Sequence, residues 1–267
     1  MTEEKSPAKI AWEALKLSGR ATGRAAAWVG RKASAAYLSI DPDVRLHVAD
    51  LPLAATTMLG PRIADIAPMP DDGHRVVVCV HGLAGHRQNF FPLRAYLRLH
   101  GRQRSYSLGY DDDEPLEVAA SALVRAAAEI RRVNELADDV KVDLVAHSMG
   151  GIVARLALLD PAFAAQVHTF VTLGTPHQGT LAARYLATPR SLDLRPGSPI
   201  FKRLSAQVPW APPLPTLIAF HSPADILMLP ASTASLPGAD NRELANVSHS
   251  GYLVRPRVLA QVETALR

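Results

Sequence analysis

The stretch Val142-Asp143-Leu144-Val145-Ala146-His147-Ser148-Met149-Gly150-Gly151 decides the fold. It begins as a short apolar strand, turns sharply at one serine, and continues into a helix that we expect to end at Asp160-Pro161. Ala146 and Gly150, two positions before and after Ser148, are small enough to let the backbone bend there. We therefore expect the Ser148 hydroxyl to project beside the N-terminal end of a helix, where N–H groups and the helix dipole favour negative charge.

The residues from Ala146 to Gly150 fit the G-x-S-x-G nucleophile elbow, with Ala in the first Gly position. That motif requires a strand before the serine and a helix after it. Because both are predicted here, the match is more specific than the five-residue motif would be without them. The sequence therefore predicts that Ser148 is a nucleophile.

Composition excludes several classes of protein. The chain has 267 residues, 48% of them hydrophobic, which is enough for one large domain and an extension. A net charge of +4 is too small and too dispersed to indicate nucleic-acid binding. The one cysteine, Cys79, cannot form an internal disulfide and lies in the apolar run 76–80, so we predict a core residue.

The sequence carries no apolar run long enough to span a bilayer, and its first residues lack the features of a secretory signal. We therefore expect a cytoplasmic protein, with association to a membrane surface as an open alternative. Nothing in the sequence indicates the oligomeric state.

Residues 6–38 are alanine-rich and have the period of an amphipathic helix with one basic face. Two interpretations remain open. The helix lies on an anionic membrane with Trp12 and Trp28 near the headgroups, which would be a peripheral membrane contact. Alternatively, its apolar face packs on the main domain and its basic face is solvated. The basic residues of that face are Lys9, Lys16, Arg20, Arg24 and Arg31.

Residues 39–73 are rich in turn signals, and we expect a connector with one short helix over 51–59. The predicted domain division is therefore an N-terminal helical extension and connector, residues 1–73, followed by a main domain, residues 74–267.

Predicted strands and helices alternate from His74 onward. Outside the opening stretch, strands are expected at 76–80, 104–108, 169–173, 215–220 and 243–247. The clearest strands are apolar on both faces, which is typical of a parallel sheet covered by helices on both sides. The predicted fold class is therefore α/β, with a mostly parallel sheet. Residues 178–214 interrupt the alternation, and we expect this insertion to form a cap that shapes a substrate site.

A serine hydroxyl becomes a good nucleophile when a base, nearly always a histidine held by a carboxylate, removes its proton. Four histidines follow Ser148 in the chain. His168 and His221 lie at strand ends, so we expect structural roles for them. His249 lies in a loop before the last helix and is the predicted base, with His177 as the alternative.

The carboxylate is expected between Ser148 and His249, just after a strand. Asp225 fits this position. Asp193 falls in the insertion, and Asp240 has no strand directly before it. We therefore predict that Ser148, Asp225 and His249 form a catalytic triad.

Two N–H groups are needed to stabilise the oxyanion that forms when a carbonyl is attacked. Met149 directly follows the nucleophile, and Leu83 lies in the loop after the first core strand, beside Gly82. We predict that these two residues supply the donors. No histidines and carboxylates have metal-ligand spacing, and no glycine-rich phosphate loop is present, so neither metal nor cofactor is expected.

Residues from 74 to the end resemble the α/β-hydrolases of the bacterial lipase and esterase group. The segments that carry the resemblance are His81-Gly82-Leu83-Ala84-Gly85, Ala146-His147-Ser148-Met149-Gly150-Gly151, Gly174-Thr175-Pro176-His177-Gln178-Gly179-Thr180 and His249-Ser250-Gly251. The resemblance implies a serine carboxylic-ester hydrolase that forms an acyl-enzyme on lipid-like esters such as acylglycerols. The sequence departs from that group in its core, which is expected to be shortened because no clear strands are recognised for the first two positions of the full fold.

Four alternatives to an ester hydrolase remain open. An acyltransferase, a thioesterase or an amidase would use the same triad, and an inactive hydrolase fold could serve as a binding module. Residues 195–201 and Pro209-Trp210 either line an apolar acyl site or are ordinary loop packing.

Overall fold

The structure is a computed structural model that describes residues 40–57, 66–111, 114–185, 188–206 and 215–267. The predicted basic helix at 6–38 and Pro209-Trp210 lie outside these ranges. Within them, no helix is both long and apolar enough to cross a membrane.

Six parallel strands form one sheet in the described residues, in the order β2-β1-β3-β4-β5-β6. The strands are β1 (Val77–Val80), β2 (Ser105–Leu108), β3 (Val142–His147), β4 (Val167–Leu173), β5 (Thr216–His221) and β6 (Asp240–Glu243). The chain reverses direction across the sheet after β2, so β3 lies beside β1. Ligands of open parallel sheets bind at the carboxyl ends of the strands near such a reversal.

Helices precede, connect and follow the strands. They are α1 (Pro42–Thr57), α2 (Phe91–Leu99), α3 (Leu116–Val133), α4 (Met149–Ala157), α5 (Pro161–Ala165), α6 (Pro199–Ser205), α7 (Gly251–Val254) and α8 (Pro256–Ala265). The predicted α/β class, with a parallel sheet and helices on both faces, is confirmed.

The two faces of the sheet carry separate hydrophobic clusters. Alternate residues of a strand point to opposite faces, so Val78 and Leu144 pack with α3 and α4, whereas Val77 and Val145 pack with α2, α7 and α8. Cys79 belongs to the second cluster and is buried, as predicted. Burial raises the pKa of its thiol to about 12, so it stays protonated and unreactive.

Helix α1 is longer than the predicted helix over 51–59. The carboxylate of Asp41 accepts a hydrogen bond from the Asp43 N–H at 2.8 Å, and Pro42 occupies the first turn. Both are favourable at a helix start, although Asp-Pro also indicates a turn in a sequence. Helix α1 contacts α7, which follows the candidate base His249.

The last strand lies earlier than the predicted range 243–247. Strand β6 is a polar edge strand, Asp240–Glu243, whose residues are mostly exposed, so it has no apolar pattern. Val247 is buried, but its backbone N–H donates to the Ser222 hydroxyl at 3.2 Å rather than extending β6.

Candidate active site

Ser148 lies at the turn between β3 and α4, as predicted. Its backbone has φ 56° and ψ −130°, a conformation that residues other than glycine rarely adopt. The turn is fixed from both sides. The Ser148 N–H donates to the carbonyl of Leu173 at 2.9 Å, and the Gly151 N–H donates to the carbonyl of Ser148 at 3.0 Å. The strain is therefore held in place by β4 and by the first turn of α4.

The loop after β1 lies directly against Ser148. A Cβ atom on Gly82 would be 2.6 Å from Cβ of Ser148 and 3.2 Å from its Oγ, so only a glycine allows this approach. The His81 ring stacks on Tyr110 with centroids 4.2 Å apart, and the Tyr110 hydroxyl donates to the His81 carbonyl. The Gly85 N–H closes the turn on the Gly82 carbonyl at 3.0 Å. This loop carries Leu83, one of the two predicted oxyanion donors.

Asp225 and His249 are brought together. Nδ1–H of His249 donates to Oδ2 of Asp225 at 2.8 Å, and the Leu227 N–H donates to Oδ1 at 3.0 Å. Burial by itself would raise the pKa of Asp225, which is 1% exposed. Its interactions with His249, His47 and the Leu227 N–H outweigh burial and hold the pKa below its usual range. Asp225 is therefore a carboxylate over the whole neutral range.

Gly174 makes room for this pair at the end of β4. It has φ 53°, and a Cβ atom there would lie 2.9 Å from Oδ2 of Asp225 and 2.6 Å from Cε2 of Tyr252. Glycine meets both demands, since it tolerates positive φ and leaves the space free.

Ser148 and His249 are not hydrogen bonded to each other in this structure; they are linked through His147. Nε2–H of His147 donates to the carbonyl of His249 at 2.9 Å, and the two rings lie 4.6 Å apart. Burial lowers the pKa of His147 to about 3, so the ring is neutral and carries its single N–H proton on Nε2, the atom that donates to His249. Hydrogen bonds between nucleophile and base are often long before substrate binds.

Helix α1 supplies two residues that the sequence analysis missed. Nε2 of His47 accepts a hydrogen bond from the His249 N–H at 3.0 Å and lies 3.8 Å from Oδ1 of Asp225. Asp50 accepts from the Ser248 hydroxyl and from Nε and Nη2 of Arg255. No local motif marks either residue, because their partners lie about 200 positions away in the chain.

His177, the alternative base, does not contact Asp225. It is buried, its Nε2 lies 3.0 Å from Oγ1 of Thr172, and its carbonyl accepts from Arg155 at 2.7 Å. Burial lowers the pKa of His177 well below its usual value, and the positive charge of Arg155 lowers it further. This ring is therefore a structural element of the core.

The other candidates also have structural partners. Asp193 forms an ion pair with Arg190 inside the insertion, and Asp240 with Arg242 on β6. Ile200 and Phe201 are buried in the core cluster of α3 and α4, which favours ordinary packing over an acyl-site lining for these two.

A cavity of about 820 Å³ runs along the edge strand β2, bordered by Met69, Arg94 and Tyr106. Neither Ser148 nor the Asp225–His249 pair lines it, so this cavity is separate from the candidate reaction centre. The described parts of the chain contain no grouping of three or more histidine, cysteine or acidic residues that could hold a metal ion.

Comparisons with known proteins give one family model that matches part of the chain and several solved structures that are similar to it. The family model of the PGAP1-like α/β domain matches residues 115–186, which span β3, the Ser148 turn and α4. The mature form of the lipase BlEst2 from Bacillus licheniformis is similar in structure, with a TM-score of 0.62 and 20% sequence identity, over 75% of this chain and 94% of that one.

Two further solved structures are similar. Lipase B from Aspergillus fumigatus has a TM-score of 0.60 and 15% identity over 77% of this chain, which spans only 55% of the length of that lipase. The hormone-sensitive-lipase homologue EstE7 from a metagenome library has a TM-score of 0.56 and 16% identity over 84% of this chain and 96% of that one. The chain therefore has the α/β-hydrolase fold, the fold of the lipases and esterases that it resembles in structure.

Proposed function

We propose that this protein is a serine hydrolase that cleaves carboxylic esters with Ser148, Asp225 and His249. The observation that carries the proposal is a strained serine turn that is connected, through a hydrogen bond from the adjacent His147, to a buried aspartate–histidine pair. Burying such a pair costs free energy, and in catalytic triads the aspartate of the pair orients the histidine that removes a proton from the nucleophile. Fold alone would not support an activity, since one fold hosts many functions.

In the proposed reaction, Oγ of Ser148 attacks the ester carbonyl while Nε2 of His249 takes the hydroxyl proton. Asp225 keeps the other ring nitrogen, Nδ1, protonated and stabilises the imidazolium that forms. The tetrahedral intermediate then expels the alcohol, which receives the proton from His249. Water, activated by the same histidine, hydrolyses the acyl-enzyme and releases the acid.

The oxyanion is assigned to the backbone N–H groups of Leu83 and Met149. The close approach of Gly82 to Ser148 supports this assignment, because it brings the loop after β1 next to the atom that attacks. Met149 is the first residue of α4, whose N-terminal end favours negative charge.

The proposed substrate is a lipid-like acyl ester. The support is the similarity in structure to lipases and esterases. Residues 178–214 are proposed to shape the substrate site, and residues 1–73 to form an extension of a hydrolase domain at 74–267. Peripheral membrane contact through residues 6–38 remains a proposal from the basic pattern of that segment.

The test is turnover of p-nitrophenyl esters of increasing acyl length by wild type and by Ser148→Ala. We expect wild type to cleave them, and Ser148→Ala to lose activity and labelling by a fluorophosphonate probe. Ser121→Ala is a matched control, since Ser121 is exposed on α3 and its hydroxyl bonds only the Glu117 carbonyl in the described residues. Wild-type turnover in Ser148→Ala would rule out the mechanism.

A further inference from the structure

We infer that His47 and Asp50, on a helix that precedes the α/β core, are positioning residues for His249. The inference rests on the proposed function, because it assigns to these residues the task of orienting the proposed base. Three features of the described contacts support it: the hydrogen bond to the His249 backbone, the anchor at Ser248, and the bonding of the His249 carbonyl from the opposite side.

The first contact fixes the backbone of the base. In this arrangement Nδ1–H of His47 donates to the Asp43 carbonyl at 2.9 Å, which leaves Nε2 as the acceptor for the His249 N–H at 3.0 Å. The bond from the His249 N–H therefore requires the neutral ring of His47, with its proton on Nδ1 and donated to the same helix. The position of α1 thus constrains the peptide group of His249 through His47.

The second contact anchors the preceding residue. Oδ2 of Asp50 accepts from the Ser248 hydroxyl and from Nε of Arg255, and Oδ1 accepts from Nη2 of Arg255 at 3.1 Å. A Cβ on Gly251 would lie 2.7 Å from the same carboxylate, so α1 and the loop are in tight contact. Asp50 therefore ties both ends of the segment 248–255 to α1.

The third feature is that His249 is held from two sides. Its N–H is bonded by His47 and its carbonyl by His147, whose ring belongs to the residue before Ser148. Two hydrogen bonds across one residue restrict rotation of its backbone, and the Asp225 bond then restricts the ring. The orientation of the His249 ring consequently depends on α1, and a misplacement of about 1 Å can cost on the order of 10²-fold in rate.

The test compares His47→Leu and His47→Gln with wild type in steady-state ester hydrolysis. A leucine at 47 has no acceptor, whereas the side-chain oxygen of glutamine can accept from the His249 N–H. We expect kcat of His47→Leu to fall about 10- to 100-fold with KM within about twofold, and His47→Gln to recover most of the loss. Asp50→Ala should lower kcat similarly, and Asp50→Asn less.

A pH profile separates positioning from a purely structural effect. The groups that face His47 are Asp225, Asp50 and His249, and burial is outweighed by Asp225 and the Asp43 carbonyl, so the pKa of His47 is raised. A protonated ring donates through Nε2 and gives up the His249 N–H. We therefore expect the acid limb of kcat to lie at lower pH in His47→Gln than in wild type.

The controls distinguish the two levels of the argument. Leu51→Ala changes an exposed residue of the same helix, 56% accessible, and should retain wild-type kcat. Activity in Ser148→Ala would refute the proposed function itself. If Ser148→Ala is inactive while folded His47→Leu keeps wild-type kcat, the positioning role is wrong. It is equally wrong if Leu51→Ala shares the loss or His47→Gln restores nothing, with folding checked by circular dichroism and active sites counted with a fluorophosphonate probe.

Discussion

The carbonyl oxygen of His249 lies 2.9 Å from Nε2 of His147, the residue that directly precedes Ser148. One hydrogen bond therefore joins the strand that presents the candidate nucleophile to the loop that presents the candidate base. The bond requires a proton on Nε2. Burial, the largest influence on this ring, keeps it neutral by lowering its pKa to about 3.

Acid should destabilise the folded protein through this histidine. A histidine in the unfolded chain binds a proton near pH 6.5, whereas folded His147 does not until about pH 3. The unfolded state thus binds more protons below pH 6.5, so stability falls as pH falls. We expect this residue alone to cost roughly 2 kcal/mol at pH 5 relative to pH 7.

Urea unfolding at pH 7 and pH 5 measures this effect. His147→Gln should lose less stability than wild type between the two values, and His74→Gln, which changes an exposed ring, should lose as much as wild type. An equal loss in wild type and His147→Gln would show that the buried ring does not contribute.

Asp225→Asn should lower kcat by about 10⁴-fold with little change in KM. The asparagine side chain cannot hold Nδ1 of His249 protonated while stabilising a positive ring, so the wrong tautomer would face Ser148. Steady-state kinetics on a p-nitrophenyl ester measures the loss. Asp193→Asn, which breaks an ion pair in the insertion, should retain near wild-type kcat. A fall of less than tenfold in Asp225→Asn would argue against its assigned role.

The sequence carried the parts of the fold that depend on apolar pattern. Strand β1 is a continuous apolar run, and β3 is apolar except for Asp143 and His147. The serine turn is marked by the small residues Ala146 and Gly150. Chain order then selected Asp225 and His249, which the structure brings into contact. Strand β6 was misplaced because an exposed edge strand has no apolar signal.

The contacts of α1 could not be predicted in the same way. His47 and Asp50 are ordinary polar residues of a helix, and nothing within a few positions indicates their partners. Only the folded chain brings them to Ser248 and His249, so their interactions are a property of the tertiary structure.

Gly82→Ala should lower activity by more than any loss of folded protein explains. The new Cβ would lie 2.6 Å from Cβ of Ser148, so the loop that carries Leu83 must move. We expect kcat to fall by at least about tenfold, since a displaced oxyanion donor typically costs that much or more. Gly197→Ala is the control, because Gly197 has φ 76° and open space around it, so alanine there adds backbone strain without reaching the site. Equal kcat in both variants would contradict the assigned position of the loop.

The membrane proposal is tested with residues 1–39 removed. The protein of 267 residues should co-sediment with vesicles that contain anionic lipid and should dissociate from them at high salt, because basic residues bind through charge. The shortened protein retains α1 and should bind less. Neutral vesicles are the control for apolar adsorption. Equal partitioning of both proteins on anionic vesicles would reject membrane contact through this segment.

The backbone strain at Ser148 predicts that a glycine variant there is more stable than an alanine variant, the reverse of the usual order of stability. At φ 56° and ψ −130° an alanine keeps the steric conflict that a glycine relieves, which is worth about 1–3 kcal/mol, against about 0.4–1 kcal/mol of extra entropy in the unfolded glycine chain. We expect Ser148→Gly to be about 1 kcal/mol more stable than Ser148→Ala in urea unfolding, with both inactive. At Ser121, inside α3, the order should reverse, with glycine about 1 kcal/mol less stable than alanine. If glycine were the less stable variant at both positions, the Ser148 turn would carry no strain to release.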